Sequence, residues 1–107
     1  MEPAPRIQWK TLEQLEASLL ELGKAYAEQP GLRRQLREMV IRTKDRARFA
    51  SKNPKVAEEK RALKQEMVQW MLVWLDDPSI FAGWAELRRT QLGRAAAEDG
   101  GHGEDDQ

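Results

Sequence analysis

The sequence contains no cysteine and only one histidine, and the scarcity of these two residue types excludes much of the chemistry of enzymes. Without cysteine there is no disulfide, no thiolate nucleophile and no cysteine metal site. The single histidine, His102, stands in a polar, glycine-rich stretch, where nothing indicates a rigid pocket for a general base. Glu-x-x-His metal pairs and a glycine-rich phosphate loop are also missing. We therefore expect a protein that is not an enzyme and that binds no metal and no cofactor.

Long apolar runs are absent as well. The densest run extends from Met67 to Leu75 and is interrupted by Gln69, whereas a membrane-spanning helix needs about 20 apolar residues. Residues 1–6 lack the basic region and following apolar stretch of a secretory signal. These two observations predict a cytoplasmic protein with no membrane association.

The apolar residues that are present recur at helical spacing, and proline and glycine divide them into four segments. Thr11 is the predicted N-cap of the first segment, with Gln14 in the capping-box position. Asn53 and Asp77 each precede a proline, a pattern typical of a helix start. The predicted helices run from Leu12 to about Gln29, from Pro30 or Leu32 to Ser51, from Pro54 to Leu75, and from Pro78 to Leu92.

Four amphipathic helices with short connections predict an all-α fold, a small antiparallel helical bundle of three to four helices. The predicted bundle domain covers residues 9–93. Residues 1–8, with two prolines and little periodicity, are predicted to be a mobile leader. Residues 94–107 are polar, rich in glycine and acidic, and are predicted to be a disordered tail.

The second half of the third helix is apolar on nearly every side. Such a helix is normally buried on every side, either in the centre of the fold or at a subunit interface. Tryptophan and methionine are enriched at interfaces, and C2 dimers are the commonest oligomers. The sequence therefore leaves both places open, and we expect a homodimer to cover the surplus. The candidate interaction residues are Trp70, Met71, Trp74 and Trp84.

The net charge of zero hides a segregation of charge along the chain. Residues 33–64 carry 12 basic and 4 acidic residues, whereas the flanking parts of the chain are acidic. Basic residues in such a run can neutralise phosphates and release counterions. The candidate polyanion-binding residues are Arg33, Arg34, Arg37, Arg42, Lys44, Arg46, Arg48, Lys52 and Lys55.

The same run is also compatible with a solvated helix face that balances acidic residues of a neighbouring helix, such as Glu13, Glu16 and Glu21. Asp45 interrupts the run, and Phe49 is the only aromatic residue within it, although stacking on nucleobases requires exposed aromatics. Phe49 lies off the apolar stripe of its helix, so it faces a different neighbour from the other apolar residues.

Taken together, the sequence predicts a small helical protein that binds a protein partner or itself, most simply as a homodimer. The alternative is binding of nucleic acid or another polyanion through the basic segment 33–64. Salt distinguishes the two, because phosphate binding weakens steeply with ionic strength and apolar association does not.

Overall fold

A computed structural model of the chain confirms the predicted all-α class. It describes the backbone of residues 6–105 and the side chains of residues 6–94. The described backbone contains no strand, and none of its helices is long and apolar enough to cross a bilayer. The α-helices are α1 (Leu12–Glu28), α2 (Arg33–Lys52), α3 (Glu58–Asp76) and α4 (Phe81–Asp105), with a short 3-10 helix at Pro30–Leu32.

Local side-chain hydrogen bonds explain where the helices begin. The predicted N-cap is confirmed, because the Thr11 hydroxyl accepts a hydrogen bond from the Gln14 backbone N–H at 3.1 Å. The two predicted starts at proline are placed too early. Asn53 accepts a hydrogen bond from the Lys55 N–H, and Asp77 accepts one from the Ser79 N–H. These turns occupy the residues after each cap, so α3 and α4 begin a few residues later than predicted.

The longest packing interface lies between α2 and α3, which form an antiparallel hairpin. The Arg37 guanidinium, near the start of α2, donates to the Leu75 carbonyl, near the end of α3, at 2.7 Å. This bond satisfies one of the carbonyls left without a partner at the C-terminus of α3. It therefore holds the open end of the hairpin together.

The other two helices pack along α3. Trp74 of α3 donates from its indole to the Leu19 carbonyl of α1 at 2.9 Å. The Trp70 ring meets the Phe81 ring of α4 edge to face, with centroids 5.9 Å apart. The chain thus reverses direction at each connection, and the predicted antiparallel bundle is confirmed.

The core contains one apolar stripe from each helix, and α3 contributes more buried apolar residues than any other helix. Burial of these large side chains is the main stabilising contribution, because apolar surface leaves water. The buried apolar residues are Leu15, Leu19, Leu22, Leu36, Val40, Ala47, Met67, Val68, Trp70, Met71, Trp74, Phe81 and Ala85.

The predicted terminal segments are described only in part. Residues 1–5 of the predicted leader lie outside the described residues. Its last part is held against the bundle, because the Gln8 N–H donates to the Ser18 hydroxyl at 2.9 Å and Ile7 packs against the core. The backbone of α4 is helical past the predicted end at Leu92. Beyond Arg94 the side chains lie outside the described residues. The disordered tail predicted for residues 94–107 therefore stays a prediction.

Candidate functional site

The structure places the predicted interaction residues mainly in the core. Trp70, Met71 and Trp74 have no exposed surface, because α1, α2 and α4 cover α3 within one chain. Trp84 is half-buried and packs edge to face on Trp70 at 5.4 Å. A partner cannot reach the first three side chains while the bundle is folded. Of the four predicted residues, Trp84 alone offers a surface.

The apolar surplus of α3 is also largely covered within one chain. Val68 is buried, Val73 is half-buried, and Leu72 is 38% exposed. A second copy is therefore not needed to cover this helix. The large apolar side chains that are at least half exposed lie elsewhere, at Phe49 on α2, at Ile80 before α4 and at Leu87 on α4.

The predicted basic residues separate into two groups, and the first stabilises the fold. Arg33 donates to the Tyr26 carbonyl at 2.7 Å, and its guanidinium lies 5.0 Å from the centre of the Tyr26 ring. Arg37 closes the α2–α3 hairpin through Leu75. Arg34 forms an exposed ion pair with the glutamate four residues later. Each of these three cations therefore already contacts another group of the same chain.

The second group lies at the closed end of the α2–α3 hairpin. We call residues 42–61 the basic tip: the second half of α2, the connection 53–57 and the first turn of α3. It holds eight basic and three acidic residues, a net charge of +5. The candidate residues within it are Arg42, Lys44, Arg46, Arg48, Lys52 and Lys55.

Few cations of the basic tip have acidic partners. Lys44 lies 3.4 Å from the Asp45 carboxylate. For the other five candidates, the described part of the chain places no carboxylate within 4.0 Å. The acidic residues of α1 do not serve as their partners. Glu16 pairs with Arg89 of α4, and neither Glu13 nor Glu21 forms an ion pair among the described side chains. The charge of the basic tip is therefore not balanced by direct ion pairs with the acidic residues of α1.

Phe49 is the residue of the basic tip that sequence reasoning undervalued. Its side chain is 75% exposed, the largest exposed fraction among the big apolar residues described. The buried face of α2 contains Val40, Ala47 and Ser51, and helical spacing puts Phe49 on the opposite side. Its position off the apolar stripe was the signal available in the sequence. A ring whose burial is worth about 1.5–3 kcal/mol thus remains in water, among cations.

A cleft of about 660 Å³ lies beside this ring. It forms where α2 ends at Lys52, because Asn53 is extended and Pro54 cannot continue the helix. The Asn53 carboxamide oxygen accepts from the Lys55 N–H at 2.9 Å, which leaves its amide N–H groups available as donors. The residues that line the cleft are Asp45, Arg48, Phe49, Lys52, Asn53, Pro54 and Lys55.

A second polar cluster, between α3 and α4, has a structural role. The Arg88 guanidinium donates two hydrogen bonds to the Glu66 carboxylate, at 2.6 and 2.7 Å, and the Trp70 indole donates a third at 2.8 Å. The Arg88 hydrogen bond holds the pKa of Glu66 below its ordinary value, although burial opposes this shift. Glu66 is therefore ionised at neutral pH and cannot serve there as a general acid. No group of three metal-ligating residues is found among the described side chains.

Comparisons with known proteins identify no relative of the chain. No protein-family model matches it, and neither a curated protein nor a solved structure matches it at a significant level. The basic tip, with its exposed ring, its cations and its cleft, therefore has to be interpreted from its own chemistry.

Proposed function

We propose that this protein binds a polyanion, specifically the phosphate backbone of nucleic acid, through the basic tip. The supporting observation is that Arg42, Arg46, Arg48, Lys52 and Lys55 converge at one end of the hairpin without acidic partners among the described residues. Five cations so placed repel one another, and none of them forms an ion pair with a described side chain. A phosphate chain would relieve this repulsion and release its own counterions.

The dimensions of the basic tip suit a chain of phosphates. Arg42 and Lys52 are both on α2, and their Cα atoms are separated by roughly 15 Å along the helix axis. Four of the five cations, Arg42, Arg46, Arg48 and Lys52, lie along this stretch of α2. They can therefore contact on the order of four phosphates, one for each cation.

The test is fluorescence anisotropy of a labelled, mixed-sequence single-stranded oligonucleotide titrated with the full chain. With about four phosphate contacts, raising salt from about 50 to about 200 mM should weaken binding roughly 50-fold. A labelled duplex of the same length serves as a second probe. Affinity that is indifferent to salt, or no binding to either probe at the lower salt, would contradict the proposal.

A second candidate function is self-association through α4, as the surplus of apolar residues in the sequence suggested. Ile80 is 50% exposed and Leu87 is 68% exposed. Ile80 directly precedes α4, and its carbonyl accepts from the N–H of the half-buried Trp84. Trp84 and Leu87 follow at i+4 and i+7, a spacing that puts the three residues on one side of the helix. This stripe, rather than the buried face of α3, is the surface on which a second copy would pack.

Light scattering across a concentration series tests self-association. The expected result is a mass that rises from 12.3 kDa towards twice that value, and Leu87→Ser should restore the lower mass because it removes the most exposed apolar side chain of this stripe. A mass that stays at the monomer value at the highest concentration would reject this candidate.

A further inference from the structure

We infer that the basic tip binds single strands, with one unpaired base stacked on the Phe49 ring in the cleft beside it. This inference rests on the proposed function and names the class of nucleic acid. The phosphates are held by the cations, and the base is held by the ring. A duplex can satisfy only the first of these two contacts.

The position of Phe49 carries the inference. Its ring is 75% exposed on the side of α2 that faces away from the core, and it is not among the described apolar side chains that pack against the core. Every nucleobase has a flat π face, and stacking on an aromatic side chain is therefore independent of sequence. In a duplex those faces are already stacked on neighbouring base pairs. An exposed ring among cations thus favours unpaired bases over paired ones.

The residues around the ring suit a nucleotide. Lys52 lies one turn beyond Phe49 on the same face of α2, and Arg48 adjoins it. Pro54 provides a second apolar surface in the cleft, and the Asn53 amide is a donor for a base edge. The cleft volume of about 660 Å³ is in the range of ordinary small-molecule sites. One base with its sugar and phosphate fits a space of this size.

An acidic peptide is the other class that five cations could attract. The exposed Phe49 ring argues against it, because an acidic side chain has no π face to stack there, whereas the Asp45 carboxylate in the cleft lining repels a carboxylate and a phosphate alike. The same carboxylate can accept a hydrogen bond from an exocyclic amino group, as acidic residues do with cytosine. The ring, the carboxylate and the cations together therefore match a nucleotide better than an acidic side chain.

The test compares Phe49→Ala, Phe49→Leu and Phe49→Trp with the unmodified chain. Leucine keeps an apolar side chain of similar bulk but has no π face, so it separates stacking from simple apolar contact. We expect the alanine and leucine variants to weaken single-strand binding roughly tenfold, and the tryptophan variant to bind at least as well as phenylalanine. Affinities for a duplex and for inorganic polyphosphate should stay within about twofold. Circular dichroism should show unchanged helix content in all three, because the ring is exposed.

The failures of the two proposals are distinguishable. If the leucine variant binds single strands as tightly as the unmodified chain, the stacking inference is wrong while salt-sensitive polyanion binding stands. If the unmodified chain binds neither oligonucleotide nor polyphosphate, the proposed function itself is wrong. If a poly-glutamate peptide binds more tightly than the oligonucleotide and loses affinity in Phe49→Ala, the ligand is an acidic protein segment, and the inference is overturned.

Discussion

Replacing Trp74 by alanine should lower the free energy of unfolding by about 3–5 kcal/mol. The side chain is fully buried, and its indole N–H donates to the Leu19 carbonyl of α1 at 2.9 Å. Its ring also meets the Tyr26 ring edge to face, with centroids 5.6 Å apart. Alanine removes both contacts and leaves a cavity between α1 and α3, because neighbouring helices relax only partly after a truncation.

That loss is large against the total stability of a domain this size, which is on the order of 5–10 kcal/mol. Urea unfolding followed by circular dichroism measures it, provided that the dependence on denaturant is unchanged. Phe49→Ala is the matched control, since it truncates an aromatic residue that is 75% exposed, and it should change stability by about 0.5 kcal/mol or less. A Trp74→Ala effect below about 1 kcal/mol would mean that this tryptophan is not part of the core.

Neutralising three cations of the basic tip should weaken oligonucleotide binding about a hundredfold at about 50 mM salt. The variant combines Arg46→Gln, Arg48→Gln and Lys52→Gln, all exposed and all without an ion pair among the described residues. Each lost phosphate contact removes about 0.7 from the slope of log affinity against log salt for a single strand. The slope should therefore become shallower by about 2. Anisotropy titrations at several salt concentrations measure both quantities.

The control variant changes the net charge equally at exposed positions away from the basic tip. It combines Lys24→Glu and Arg34→Gln, which together lower the net charge by the same three units. Its affinity should stay within about threefold of the unmodified chain, because both residues lie at the open end of the hairpin, more than a Debye length of about 10 Å from the basic tip. Equal weakening by both variants would show a diffuse effect of net charge and no localised site.

Much of the fold follows from local features of the chain. The apolar spacing of α1 and the Thr11 cap predict that helix almost to the residue, since both act within a few residues. The starts of α3 and α4 were misplaced because proline after asparagine or aspartate suits both a helix start and a turn. Here the side-chain hydrogen bonds to Lys55 and Ser79 favour the turn.

The roles of the tryptophans and of the arginines could not be predicted from such local features of the sequence. An apolar helix looks the same whether it is covered by its own chain or by a partner. Trp74 packs against α1 of its own chain, where its indole donates to the carbonyl of Leu19, 55 residues away in sequence. In the sequence, nothing distinguishes Arg37 from the other cations of its helix. Its hydrogen bond to the Leu75 carbonyl joins residues that are 38 positions apart.

The sequence by itself determined the helical class, a bundle of three to four helices and the segregation of charge, because periodicity, capping and composition are local properties. The tertiary structure decided which residues remain available for binding. It buried Trp70, Met71 and Trp74, it bonded Arg37 to the Leu75 carbonyl, and it left Phe49 exposed among the cations of the basic tip. The physical reason is that burial and long-range hydrogen bonds are properties of pairs of distant segments, and those pairs form only when the helices pack.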